Sequence, residues 1–175
     1  MRKALLLMGV AGFMILCAAG CKKSDLVVEI AASTSVAETH KIPILFVTVS
    51  NRGNAWASGT GMGVLGGTNA NGYKVDVVLS KDMVATSRYE TPNPYEFEED
   101  ILLMGGRISH TKTLGPNEAV TYTLTNVVPV PPGVVLGTDS VANVYIGALA
   151  DSRNNITESR EDNNTAFLPI EVTRP

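Results

Sequence analysis

A two-residue alternation of apolar and polar side chains runs through the chain after residue 21, and no helical period interrupts it. Leu26, Val28 and Ile30 alternate with Val27 and Glu29. Leu45, Val47 and Val49 alternate with Phe46, Thr48 and Ser50. Tyr73, Val75, Val77 and Leu79 alternate with Lys74, Asp76 and Val78. Val120, Tyr122 and Leu124 alternate with Thr121, Thr123 and Thr125. Val144, Ile146 and Ala148 follow, then Ala166, Leu168, Ile170 and Val172, and a less regular run spans 101–108. Each segment predicts a strand with one face inward and one toward water, as in an antiparallel sheet. Turn-forming residues separate them. Asn51-Arg52-Gly53-Asn54 ends the second segment, Gly115-Pro116-Asn117 precedes the fifth, and Pro131-Pro132-Gly133 precedes the sixth. About seven short strands with this punctuation predict an all-β, immunoglobulin-like antiparallel β-sandwich.

Three connections are long: 52–72, 80–100 and 127–142. Loops of this length in a compact domain are usually functional. Successive strands run in opposite directions, so alternate loops reach opposite poles. Loops 52–72, 109–119 and 151–164 are expected at the pole where the first strand starts. Loops 32–43, 80–100 and 127–142 are expected at the far one. Loop 80–100 holds Arg88, Tyr89, Tyr95 and Phe97. Aromatic and arginine side chains concentrate binding energy at interfaces, so these four are candidate partner contacts. The competing reading is that the rings plug the open end of the sandwich.

The first 20 residues carry a different pattern. Arg2 and Lys3 precede an apolar run from Ala4 to Leu16, and Ala18-Ala19-Gly20 precede Cys21. This is the layout of a secretory signal. The run is too short for a membrane span, which needs about 20 apolar residues. A cysteine directly after the small residues resembles a bacterial lipoprotein signal, with alanine where leucine usually stands three places before it. That resemblance implies acylation of the Cys21 thiol, cleavage before it and attachment to a membrane. The chain then divides into a signal at 1–20, a lipidated N-terminus and short tether at 21–24, and one sandwich domain at 25–175. The tether residues Lys22, Lys23 and Ser24 extend only about 10 Å. Lysine after the cysteine, in place of the aspartate that favours inner-membrane retention, points to the outer membrane.

Processing changes the balance of charge and thiols. The signal takes two basic residues and no acid, so the formal net charge moves from −3 to −5. A mildly acidic chain without a basic cluster does not suit nucleic acid or anionic headgroups. Cys17 leaves and Cys21 is acylated, so no thiol remains for a disulfide, a metal or a nucleophile. Gly61-Met62-Gly63-Val64-Leu65-Gly66 fits G-x-G-x-x-G, but Gly67, Asn69, Asn71 and Gly72 forbid the helix a dinucleotide site requires. His40 and His110 stand apart from other ligand types, and no nucleophile elbow is present. No enzyme signature emerges.

The most distinctive stretch is 151–164, which links the last two strands and contains Asp151, Asn155, Glu158, Glu161, Asn163 and Asn164. Aspartate and asparagine order hairpin loops by bonding nearby backbone. Calcium, which takes six to eight oxygens, is the alternative occupant; no other cofactor is expected. Asp82 and Asp100 are a weaker pair of the same kind.

The whole resembles the CARDB domain, the cell-adhesion-related domain found in bacteria. The resemblance rests on Asp151, Ile156, Glu158, Glu161, Asn163 and Asn164 near the end. Ser24-Asp25-Leu26-Val27-Val28 resembles its opening, and Val47 to Asn54 resembles its V-x-V-x-N-x-G strand end. Leu79 to Asp82, Asp100 to Leu103 and Leu114 to Glu118 resemble its middle. It covers nearly all of 24–172. Loop 52–72 and stretch 133–142 depart from it as insertions. It implies an immunoglobulin-like sandwich and an adhesive or interaction role without catalysis. On this reading the chain is a membrane-anchored interaction module of the cell envelope. The alternatives are a structural accessory of an envelope complex and a carbohydrate-binding sandwich. The partner is accordingly a protein or a carbohydrate, reached from a lipid-anchored position.

Overall fold

The computed structural model describes residues 21–38, 43–61, 69–85, 100–125, 127 and 139–173. The signal segment, His40, most of the Gly-rich motif, the prolines at 131–132 and the candidate contacts Arg88, Tyr89, Tyr95 and Phe97 lie outside them.

Among the described residues eight strands follow one another: β1 (Leu26–Ala32), β2 (Val36–Glu38), β3 (Leu45–Asn51), β4 (Val75–Ser80), β5 (Ile101–Ile108), β6 (Ala119–Leu124), β7 (Val141–Ala150) and β8 (Thr165–Thr173). They form a three-stranded sheet in the order β1-β3-β6 and a five-stranded sheet in the order β2-β8-β7-β4-β5. Seven strands pair antiparallel; β2 alone pairs parallel, placing Val36 beside Glu171 and Glu38 beside Thr173. The fold is the all-β, immunoglobulin-like sandwich that the alternation predicts. Among the described residues no helix is long and apolar enough to cross a membrane.

The core lies between the sheets. Leu26, Val28, Leu45, Val47 and Val49 on one side meet Val75, Val77, Leu103, Ile146, Ala148 and Ile170 on the other. These are the inward positions of the alternation, and removing their apolar surface from water drives the assembly. Tyr73 lies just before β4 rather than within it, fully buried, with its hydroxyl donating to the Lys112 carbonyl at 2.6 Å. Burial pushes that phenol well above its ordinary range, and the hydrogen bond with Tyr122 adds to the shift.

Two strands depart from the simple pattern. β4 is buried on both faces. Its outward residue Val78 packs in a second cluster with Leu149, Leu102 and Ala85. Outward-facing Asp76 is also fully buried, where the Arg107 guanidinium grips it with two hydrogen bonds of 2.7 and 2.8 Å, and the Ser152 hydroxyl donates a third at 2.8 Å. A buried carboxylate requires such partners. The irregularity of β5 is a bulge. Pairing with β4 jumps from Leu102 to Arg107 while β4 moves only from Val78 to Asp76, and Gly105 takes a φ of 78° that glycine permits without strain.

The register places the loops. Leu26 pairs with Asn51, Ser50 with Ala119, Val75 with both Ile108 and Ala150, and Leu149 with Thr165. The start of β1 therefore shares one pole with the segments after β3, before β4, after β5 and between β7 and β8. The connections before β3, after β4 and before β7 leave from the far pole.

Candidate functional site

The near pole is built around residues 23–26. They do not hang as a free tether. The Lys23 carbonyl accepts the N–H groups of Asn54 and Ala55 at 3.0 and 3.2 Å, and the Lys23 N–H donates to Asn54 Oδ1 at 2.9 Å. Ser24 forms a parallel bridge with Glu158, and its carbonyl accepts the Ser159 N–H at 2.8 Å. The Asp25 carbonyl accepts the Arg52 N–H at 2.7 Å, and Asn163 Nδ2 donates to the Asp25 carboxylate at 2.9 Å. The segment is thus clamped between the turn after β3 and the β7–β8 loop. Only Lys22 separates it from Cys21.

Asn51 organises the first wall of the clamp. It stands at an inward position of β3 with no exposed surface. Its Oδ1 accepts the N–H groups of Asp25 and Gly53, and its Nδ2 donates to the carbonyls of Ala55, Leu114 and Gly115. A buried polar side chain with every hydrogen-bonding group used stabilises one arrangement of the strands that meet there. Gly53 lets the backbones close up: a Cβ there would lie 2.3 Å from the Lys23 carbonyl oxygen.

The β7–β8 loop forms the second wall. Asp151 and Asn154 take left-handed φ values of 47° and 50°, a region that aspartate and asparagine tolerate better than most residues. The two Asp151 carboxylate oxygens accept the N–H groups of Asn155 and Ile156, each at 2.9 Å. Glu158 is 3 % exposed. One of its oxygens accepts the Leu26 N–H, and the other accepts Asn164 Nδ2 at 2.7 Å. Glu161 accepts the Glu158 N–H at 2.9 Å, and Asn155 Nδ2 donates to the Gly72 carbonyl at 2.9 Å. Among the six polar residues singled out in this loop, Asp151 bonds Asn155, Glu158 bonds Glu161 and Asn164, and Asn163 bonds Asp25.

Its electrostatics follow from burial. Desolvation pushes the Glu158 carboxyl up to about 7, the Leu26 and Asn164 hydrogen bonds partly oppose this, and the neighbouring Glu161 and Asp151 add to the rise. Asp151 is also raised by burial, against the pull of its two backbone hydrogen bonds. The Oδ1 atoms of Asn163 and Asn164 are buried without a hydrogen-bond partner. An open hollow of about 280 Å³ lies beside Asp151, Glu161 and Asn164. Both oxygens of Asp151 and of Glu158 are nevertheless occupied by donors. Among the described residues no group of three or more His, Cys, Asp or Glu side chains is placed to hold a metal ion. The arrangement orders a loop and locks it to β1.

The remaining candidates are dispersed. Cys21 is exposed at the near pole. His110 is exposed between β5 and β6. Asp82 accepts the Val84 N–H at 2.8 Å in the turn after β4, while Asp100 is buried at the entry to β5. Sequence reasoning gave Asn51 only a turn and a place in the strand-end resemblance, Asp25 only a place in the opening, and the Asp76–Arg107 pair no role. For Asn51 a signal existed: an amide at an inward parity position.

No family model matches the chain, and no curated protein does. The chain is similar to the solution structure of a CARDB domain from Pyrococcus furiosus, at 21 % identity and a TM-score of 0.50, over 87 % of this chain and 97 % of that one. The fold is CARDB-like. A crystal structure of the same CARDB domain, in complex with di-metal ions, is 20 % identical over 88 % of this chain and 97 % of that one, with a TM-score of 0.47. A beta-glucosidase from Listeria innocua, in complex with glucose, is similar at 12 % identity and a TM-score of 0.43, over 86 % of this chain but only 16 % of its own length.

Proposed function

We propose that this CARDB-like sandwich is a non-catalytic interaction module of the bacterial cell envelope, anchored to the membrane by an acylated Cys21. The observation that carries the reading is the clamp on residues 23–26. It makes the exit of Cys21 a fixed feature of one pole, about two residues from folded structure. A domain held this tightly turns the same end to its membrane at all times and offers the other end to a partner. Lys22 after the cysteine favours the outer membrane. The far pole sends out the long connection after β4, and Arg88, Tyr89, Tyr95 and Phe97 within it supply the partner contact. In this reading the loop acids order the loop, and calcium is the alternative occupant.

The partner reading is tested by recovering the lipidated protein from its native envelope with its co-purifying partners. Tyr89→Ala and Tyr95→Ala are expected to reduce partner recovery and leave the melting temperature nearly unchanged. Loss of several degrees of stability in both variants would make the rings part of the core and end the partner assignment.

A further inference from the structure

Trp56 is the only tryptophan of the chain, and it is 66 % exposed. It stands at the near pole, in the segment that forms the first wall of the clamp. The residues on both sides of it are fixed. The Ala55 N–H donates to the Lys23 carbonyl at 3.2 Å, and Ala57 exchanges two backbone hydrogen bonds of 2.9 Å with Leu114. The indole itself rests on Gly115: a Cβ at that glycine would lie 3.3 Å from Trp56 Cη2 and 3.4 Å from Cζ3. The ring is therefore a rigid projection with its other side open to solvent.

Its distance from the anchor is short. Cys21 is exposed and two residues from Lys23, and two extended residues reach about 7 Å. The headgroup layer on each side of a bilayer is of similar depth, since about 30 Å of hydrocarbon becomes about 40–45 Å with the headgroups. Trp56 follows Ala55, whose N–H reaches the Lys23 carbonyl, so an acylated Cys21 brings the membrane to the pole on which Trp56 stands. Tryptophan is the residue type enriched in the headgroup layer, because its ring is apolar and its N–H still needs a polar partner. Among the described residues the other exposed aromatic is Phe46, at the start of β3 toward the far pole, and Met83 and Val84 lie beyond the far end of β4.

We infer that Trp56 is a second, non-covalent contact with the lipid surface, seating its indole among the headgroups of the bilayer that carries the Cys21 acyl group. This rests on the reading of Cys21 as acylated. The acyl chains supply the affinity. Trp56 supplies orientation: with two contact points on one pole, the sandwich stands on the membrane with its far pole outward instead of lying on either sheet.

The full chain, expressed in a bacterium and purified from its membranes, tests this directly because all indole fluorescence comes from Trp56. Its acyl state is read by intact mass. The protein is reconstituted into phosphatidylethanolamine–phosphatidylglycerol vesicles, either unbrominated or carrying acyl chains brominated near the headgroup or near the chain end. The expected result is an acylated mass and quenching of emission that is stronger with bromine near the headgroup. Trp56→Ala is expected to remain in the vesicle fraction. An acylated, vesicle-bound protein whose emission no brominated lipid quenches would overturn the inference and leave the anchor standing. Quenching strongest near the chain end would overturn the headgroup seat. A mass without acyl groups would overturn the anchor, and this inference with it.

Discussion

Glu158, in the loop between β7 and β8, accepts the backbone N–H of Leu26 at the start of β1, 132 residues away along the chain. The bond joins the two sheets at the near pole, since β1 belongs to one and β7 and β8 to the other. It also fixes the segment through which Cys21 leaves the fold. Its loss is expected to be felt at the N-terminus before the core.

Glu158→Ala leaves the Leu26 N–H and Asn164 Nδ2 without their shared acceptor in a buried site. A destabilisation of about 2 to 4 kcal/mol is expected. Hydrogen exchange at residues 24–26 should accelerate more than exchange in β4 or β7. Equal acceleration throughout would mean that the bond holds the sandwich as a whole and not the N-terminal segment.

The same carboxyl makes stability depend on pH. Its native value of about 7 lies above its ordinary 4.5. Between these values the native state binds more protons than the unfolded state, so stability falls as pH rises through this window and the penalty is complete above about 7. Its full size is roughly 3 kcal/mol. Protonated Glu158 keeps an oxygen for the Leu26 N–H, and rotation of the Asn164 amide brings the unsatisfied Oδ1 to its hydroxyl. Urea midpoints at pH 5 and pH 8 should differ in wild type and differ less in Glu158→Gln. A residual slope of the same sign is expected from Asp151, whose carboxyl is also raised.

Asp151→Ala removes two hydrogen bonds to the loop backbone and leaves alanine at a φ of 47°. We expect a loss of about 1 to 3 kcal/mol, equal in EDTA and in millimolar calcium. Melting curves under the two conditions decide the role of the loop. A large calcium-dependent rise in wild type, absent from the variant, would assign these acids to a metal.

Gly53→Ala places a methyl group 2.3 Å from the Lys23 carbonyl oxygen and 2.5 Å from the Ser24 carbonyl carbon. Both contacts are with backbone, so the segment must move. A cost of about 1 to 3 kcal/mol is expected. Combined with Glu158→Ala the loss should fall short of additive, because both variants release the same residues 23–26. Full additivity, measured by urea denaturation, would show that the two walls act independently.

Much of the fold was legible because a sheet with one wet face writes its geometry as alternation. Val120, Tyr122 and Leu124 against Thr121, Thr123 and Thr125 mark β6 plainly, and the other longer strands announce themselves this way except β5, whose bulge breaks the alternation. What stayed hidden depended on distant partners. The three residues of β2 carry no period and exist as a strand through the edge of β8. Asp76 and Val78 read as a wet face, yet Arg107, Ser152 and a second apolar cluster cover them. Lys23 and Ser24 read as a polar tether, because a sequence does not show that carbonyls and amides of residues 51–55 and 158–159 meet their backbone. Within the loop, the residue types announced local hydrogen bonding. That Glu158 reaches beyond its own loop to hold β1 depends on the register of two sheets.

Acylation of Cys21 is the claim on which membrane attachment, polar orientation and the role of the clamp all depend. Metabolic labelling with an alkyne fatty acid, followed by isolation of the protein, measures it most directly. Wild type should carry the label and the Cys21→Ser variant should not, the variant being found unprocessed or, where another peptidase cleaves it, soluble. An unlabelled wild type, or a variant that still takes the label, would contradict the account.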